Sequence, residues 1–342
     1  MRRAICFDDV LLEPRFSNIQ SRAKIDLTTT LTPATGEILS LPIISAPMDT
    51  ITESAMALSM NKAGGVGIIH RYNTIDEQVD IVHNSFMEGL CNIGAAVGVT
   101  GDFEERACAL NDAGANIICV DIAHGHHELM KKALETLRSI FGMSVHLMAG
   151  NIATLKAFND LSDWGADSIR VGVGGGSICS TRIQTGHGIP TLQSVIDCSF
   201  SDRDTVLIAD GGIKNSGDMV KALAAGADIV MCGSLLSGTN ESPGNILYSS
   251  DNMPPRKIYR GMASRDAQKS WRGKVGSVEG VTTTVPIKGP VADVLHDLEW
   301  GIRSGLSYTG ARSLCELRTK ARFIEQTQSS QNESSPHALT KF

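Results

Sequence analysis

Eight short apolar runs separated by amphipathic stretches occupy residues 42–234, and this alternation limits what the chain can fold into more than any other feature. The runs are "PIISAP" (42–47), "GVGIIH" (65–70), "IGAAVG" (93–98), "IICVDIA" (117–123), "VHLMAG" (145–150), "SIRVGV" (168–173), "VLIADGG" (206–212) and "IVMCGS" (229–234). Most are continuously apolar, the pattern of strands covered on both faces. Helical spacing marks "TESAMALSMNKAG" (52–64), "DEQVDIVHNSFM" (76–87), "EERACALNDAG" (104–114), "ELMKKALETLRSIFG" (128–142) and "GDMVKALAAG" (217–226). Several helices run into a glycine that leads straight to the next strand: "DAGANIICV", "DWGADSIRV", "AAGADIVMC". Glycine ends a helix readily because it lacks the Cβ that disfavours left-handed backbone. Strict βα alternation calls for parallel strands with right-handed crossovers. Eight units predict a closed (β/α)8 TIM barrel, with an open doubly wound sheet as the competing arrangement.

A barrel carries its chemistry at the C-terminal ends of its strands. Polar and glycine punctuation falls there: "MDT", "DIAHGH", "GN", "GVGGGSICST", "DGG" and "GS". Residues 236–290 break the rhythm and are rich in Gly, Ser and Pro. They are expected to form a long active-site lid after the eighth strand. Residues 291–310 read as a closing helix, so 1–323 form a single catalytic domain and 324–342 a polar, flexible C-terminal tail.

The formal net charge of -6 gives no sign of a nucleic-acid surface. No run approaches the roughly 20 apolar residues of a membrane span, and Asp8 and Asp9 interrupt anything resembling a secretory signal. The 8 cysteines are scattered without CxxC pairs, which argues for a reducing, cytoplasmic setting.

Three consecutive glycines, 174–176, precede Cys179. Such a loop can bend sharply and aim several carbonyls or N–H groups at one point. A thiolate adds readily to an electron-poor carbon, which makes Cys179 a candidate nucleophile; a structural thiol in a strained turn is the plainer reading. Thr181 would be its polar neighbour, and Arg182 a salt-bridge residue. The glycine turns "DGG" (210–212) and "GS" (233–234), following the last two strands, have the form of a phosphate cradle. Ser234 and Ser177 could donate hydroxyls to it, and Asp210 could accept from ribose. "DIAHGHH" (121–127) raises a metal through Asp121, His124 and His126, but no further cluster completes a ligand set, and Asp121 suits an amide-bearing cofactor better. "KAGGVGIIH" (62–70) opens a strand instead of joining strand to helix, and so fails the dinucleotide fingerprint. Glu279, in "GSVEGV", is either a solvated loop charge or, with the lid closed, an acid–base partner.

With "FDDVLLEP", "SAPMDT", "DIAHGH", "AGN", "GSICSTR", "IADGGIKNSGD", "GSLLSGTNESPG" and "YRGMAS" in place, the chain resembles the IMP dehydrogenase/GMP reductase family from residue 7 to about 323. The resemblance implies that Cys179 attacks C2 of a purine nucleotide to give a thioimidate, with Thr181 and Glu279 as the proton-transfer pair. It implies that Ser177, Asp210, Gly212, Gly233, Ser234 and Tyr259 hold the ribose phosphate. Met48, Met262 and Ala263 would flank the base, and Gly261 falls at a further substrate-binding position. Asp121, Asn151, His70 and Arg71 fall at cofactor-binding positions. Carbonyls of Gly174, Gly176 and Cys179 match those that ligate K⁺ in potassium-activated members. A homotetramer is implied as well.

The resemblance covers two reactions: NADPH-dependent deamination of GMP to IMP, and NAD-dependent oxidation of IMP to XMP. The reductase is favoured by three features. No segment between the second and third strands is long enough for paired regulatory domains, the lid from Gly261 to Glu279 is short, and it lacks the Arg-Tyr dipeptide with which dehydrogenases activate water. "YRGMAS", "LRTKARF", "ESSPHALTKF" and Arg272 lean toward the dehydrogenase, and Gly276 stands where reductases usually carry an arginine. A non-catalytic purine-nucleotide sensor is the alternative from another class.

Overall fold

In the computed structural model, which describes residues 2–32, 37–248 and 254–334, every apolar run becomes a parallel strand. These are β1 (Ile43–Ser45), β2 (Val66–Ile69), β3 (Gly94–Val97), β4 (Ile117–Asp121), β5 (His146–Ile152), β6 (Ser168–Val171), β7 (Val206–Asp210) and β8 (Ile229–Cys232). Neighbours pair in sequence order, and β8 closes onto β1 with Met231 opposite Ile44, giving a TIM barrel. Side chains of period two fill its interior, among them Ile44, Val66, Ile68, Ile208, Ile229 and Met231. The alternate residues, such as Ile43, Ile69, Ile118, Leu147 and Val230, pack under the helices. An antiparallel pair, Thr29–Thr32 with Glu37–Leu39, sends Leu31 and Leu39 into the interior cluster.

The outer ring is α1 (Ser54–Lys62), α2 (Ile75–Met87), α3 (Phe103–Asp112), α4 (Glu128–Phe141), α5 (Leu155–Asp163), α6 (Thr191–Cys198), α7 (Ser216–Ala224) and α8 (Val291–Thr309). Local chemistry sets their ends. Thr74 and Glu77 form a reciprocal capping box on α2, and Thr154 and Asn215 cap α5 and α7. At the C-termini of α3, α5 and α7 the predicted glycines Gly114, Gly165 and Gly226 have positive φ of 113, 101 and 117°. Each is followed by an alanine whose N–H reaches back five residues, Ala115 to Leu110, Ala166 to Leu161 and Ala227 to Ala222, which is the Schellman pattern. The next residue then serves the neighbouring strand: Asn116, Asp167 and Asp228 accept from the N–H groups of Ile93, Leu147 and Leu207.

The long insertion after β8 is folded. Arg256–Arg260 pairs antiparallel with Thr282–Pro286, and a helix, Arg265–Arg272, spans the gap between them. Lys257 donates to the carbonyls of Thr239, Asn240 and Ser242, pinning the strand to the loop that leaves the barrel. Arg260 anchors the same strand to Asp49 beyond β1 at 2.5–2.9 Å. The stretch read as a flexible tail also begins with structure. Phe323–Glu325 pairs antiparallel with Val10–Leu12, and Gln328–Glu333 is a short helix; residues 335–342 lie outside the described residues. Just before that pair, Phe7–Asp9 sits against the β7 end of the barrel, with Lys214 bonded to Asp8 at 2.6 Å and Lys221 to the Phe7 carbonyl. Among the described residues no helix is long and apolar enough to cross a membrane.

Candidate active site

The cleft at the C-terminal ends of the strands has a volume of about 500 Å³. It is bounded by the glycine loop after β6, the turns after β1, β4 and β7, and the lid. Cys179 is exposed, and its Sγ lies 3.1 Å from Oγ1 of Thr181, the first residue of a short helix, Thr181–Thr185. Glycine is required where this loop passes the barrel: Gly172 has φ of 150°, and a Cβ there would fall 1.9 Å from the Asp210 carbonyl. A Cβ on Gly175 would meet Thr191 Oγ1 at 2.4 Å, and one on Gly211 would lie 3.2 Å from the Gly176 nitrogen. The two glycine turns are therefore in direct contact.

The lid's return strand is laced to the cysteine loop. Ser180 donates to the Glu279 carbonyl at 2.9 Å, Val281 to Ile178 at 3.0 Å, and Glu279 to Ala263 at 3.1 Å. This pairing places Glu279 on the cleft with Cys179 and Thr181, while its Oε1 accepts from Ser277.

The remaining expected residues divide into two groups. Met48, Asp121, Asn151, Arg71, Asp210, Tyr259, Gly261, Met262, Ala263, Gly174 and Gly176 line the cleft. Ser177, Gly212, Gly233, Ser234 and His70 stand behind or beside it. Ser177 shares a 3.3 Å hydrogen bond with the Tyr259 hydroxyl, and burial pushes the Tyr259 phenol up in pKa while Ser177 works against that shift. A Cβ on Gly233 would lie 3.4 Å from both Met48 Sδ and the Tyr259 hydroxyl, so this turn backs onto the same corner. The Ser234 carbonyl accepts from Lys288. Gly212 borders a separate hollow of about 80 Å³ with Phe7, Lys214 and Thr191. His70 is buried, its Nε2 3.1 Å from Glu53 and its Nδ1 accepting from the Tyr72 N–H. The Gly176 carbonyl accepts from the Cys179 N–H at 3.1 Å. His126 pairs with Asp160 at 2.8 Å, His127 caps α4, and among the described residues no three His, Cys, Asp or Glu side chains converge as a metal site.

Sequence reasoning missed four residues of the cleft. Arg170 on β6 bonds Asp121 at 2.8 Å and Asp210 at 3.0 Å. Burial opposes its charge, but Cys119, Asp210 and Asp121 more than compensate and raise its pKa well above the ordinary value. Burial likewise works to raise the Asp121 carboxyl, yet Arg170 and Arg71 hold it below the ordinary value. Tyr72 and Trp271 meet edge to face at 5.2 Å, with the Arg71 guanidinium over both rings and that of Arg272 4.1 Å from Trp271. Gln268 bonds the Ala263 and Ser277 carbonyls and so ties the lid helix to the Glu279 strand. The one available signal was a charged residue inside an apolar strand run, the arginine of "SIRVGV".

A TIM barrel that sets an accessible thiol beside a hydroxyl, with a lid carboxylate on the same cleft and glycine turns in contact, has the form of an enzyme site. The model of the IMP dehydrogenase / GMP reductase domain matches residues 4–337. The chain is 35% identical to inosine-5'-monophosphate dehydrogenase of Nitrosopumilus maritimus, covering 98% of both proteins. It is 31% identical to GMP reductase of Leishmania major, covering 98% of this chain and 97% of the relative. A cysteine-to-alanine variant of GMP reductase from Trypanosoma brucei, crystallised with guanosine 5'-monophosphate, superposes with a TM-score of 0.92 at 29% identity over 99% of each chain. The protein belongs to the IMP dehydrogenase/GMP reductase family and is an oxidoreductase of purine metabolism that uses a nicotinamide nucleotide.

Proposed function

We propose that this protein is a GMP reductase, converting GMP and NADPH to IMP, ammonia and NADP⁺ in a cytoplasmic homotetramer. The observation that carries the reading is the lid. The lid arginine that reaches the cleft, Arg272, lies over the Trp271 ring and is followed by Gly273, so no Arg-Tyr dipeptide is on hand to deprotonate water. What the lid does bring to the cleft is Glu279, on the same cleft as a thiol–hydroxyl pair.

On this reading Cys179 Sγ bonds to C2 of the purine, and the C2–N bond to the amino group breaks. Glu279, through Thr181, supplies the proton that the departing ammonia carries away. The nicotinamide, when bound, supplies a hydride to C2, and the C2–S bond then breaks to release IMP and restore the thiol. Ser177, Gly212, Gly233, Ser234 and Tyr259 hold the phosphate, Asp210 the ribose, and Met48, Gly261, Met262 and Ala263 the base. The region of the cleft bounded by Asp121, Asn151, Arg71, Tyr72 and Trp271 is aromatic and partly cationic, which suits a flat, anionic dinucleotide. His70 acts from behind, by holding the Tyr72 backbone.

The second reading, IMP dehydrogenase acting with NAD⁺, draws on Arg272 at the cleft and on the Nitrosopumilus relative. Absorbance at 340 nm separates the two. GMP with NADPH loses signal if the protein is a reductase. A gain of signal from IMP with NAD⁺, with GMP inert, assigns it as a dehydrogenase, and nucleotide binding without turnover in either mixture assigns it as a sensor.

A further inference from the structure

We propose that Arg170 is a positioning residue that links the nucleotide and dinucleotide sites, so that each ligand strengthens binding of the other. The inference rests on the assignment of Asp210 to the nucleotide and Asp121 to the dinucleotide given above. It goes beyond that assignment, because nothing in the reaction itself requires the two carboxylates to share a partner.

The geometry is specific. Arg170 projects from β6 and is 8% exposed, while Asp121 at the end of β4 and Asp210 at the end of β7 are each 15% exposed. Its guanidinium divides between them. Nη1 donates to Asp121 Oδ1 at 2.8 Å, and Nη2 and Nε donate to Asp210 Oδ2 at 3.0 and 3.2 Å. Asn151 adds a third donor to Asp210 Oδ2 at 2.8 Å, and Arg71 reaches Asp121 Oδ2 at 3.4 Å. Two cations and two anions thus form one buried, hydrogen-bonded quartet along the wall of the cleft.

A guanidinium is a rigid plane whose donors move together. A ligand hydroxyl that donates to Asp210 shifts that carboxylate against Nη2 and Nε, and the same plane carries Nη1 with it, resetting Asp121. With little water between these charges, the displacement is not screened as it would be at the surface. An arginine that served stability alone would not need to divide its donors between groups that serve different ligands.

The test is the ratio of GMP dissociation constants without and with saturating NADPH, measured by calorimetry in the non-reacting Cys179→Ala protein. Coupling through Arg170 predicts a ratio of about five or more. In the Arg170→Lys form of that protein, folded by circular dichroism, GMP still binds and the ratio falls to near one. Should Arg170→Lys not fold, Arg170→Gln, which lacks the fork that reaches both carboxylates, is read in the same way: GMP still binds and the ratio falls to near one. A ratio of one in the parent, or a ratio that survives either substitution, overturns the proposal. If the parent binds IMP and NAD⁺ instead, the reductase reading falls, and the same ratio measured with that pair still decides the role of Arg170. If it binds neither nucleotide, both inferences fall together.

Discussion

The backbone N–H of Ser180 donates to the backbone carbonyl of Glu279 at 2.9 Å, joining the residue after the cysteine to the residue that bears the lid carboxylate. Lid and cysteine loop are thereby a single ribbon, with Cys179 and Gly280 bridged across it. The residue bearing the lid carboxylate is placed by backbone hydrogen bonds, which set where its side chain enters the cleft.

Cys179→Ala is expected to lower turnover by several powers of ten while leaving nucleotide binding measurable by calorimetry, because it removes a covalent step and no binding donor. Glu279→Gln retains shape and the ribbon but loses the transferable proton. Its kcat should fall by roughly 10²–10⁴-fold with the GMP affinity unchanged. A Glu279→Gln enzyme of normal kcat would remove that residue from the chemistry.

Trp271 and Arg272 separate two functions of the lid helix. Trp271→Ala removes the edge-to-face contact with Tyr72 and the ring beneath Arg71. The KM for the dinucleotide should rise by roughly tenfold, the scale of one aromatic and one cation–π contact. Arg272→Ala should change steady-state rates only modestly. If instead it leaves a burst of hydride transfer followed by stalled hydrolysis in IMP and NAD⁺, it is the water-activating base of a dehydrogenase.

Potassium dependence tests the carbonyls of Gly174, Gly176 and Cys179. Replacing K⁺ by Na⁺ at constant ionic strength should reduce kcat several-fold, since an ion held by carbonyls fixes the loop that presents the thiol. Equal rates in the two salts would mean that the Gly176–Cys179 turn holds the loop without an ion.

His146 makes folding stability pH-dependent. Burial lowers its imidazole pKa from 6.5 to about 4, with Asp167 opposing, while its Nε2 lies 2.7 Å from the Ser168 hydroxyl. The folded pKa is depressed, so the unfolded chain takes up the proton first. The contribution is intact above 6.5 and drains as pH falls toward 4. Urea unfolding at pH 7 and pH 5 should show a loss of about 2 kcal/mol in the wild type that His146→Gln lacks.

Much of this fold is legible in the sequence because its signals are local. Apolar runs mark all eight strands, and "DAGAN", "DWGAD" and "AAGAD" mark helix ends whose glycines adopt the expected left-handed backbone. The body of helix α5 and the whole of α6 escaped, and so did the side chains of Asn116, Asp167 and Asp228, whose partners lie about twenty positions upstream on the preceding strand. The lid was legible as a break in the rhythm but not as a ribbon and helix, because its two strands pair with each other across an insertion instead of with the barrel. Within the site, Cys179, Thr181 and the glycine turns announce themselves by composition. Arg170 does not, because its meaning depends on β4, β6 and β7 presenting residues 121, 170 and 210 to one layer of a closed cylinder.

The seating of Phe7–Asp9 against the β7 turn matters to anyone who handles this protein. A lysine that follows the turn at Gly212 is gripped by an aspartate 206 positions earlier in the chain. Trimming the first ten residues, or fusing a bulky partner to them, would act as a remote lesion, felt first at the glycine turn after β7. An affinity handle is better attached elsewhere.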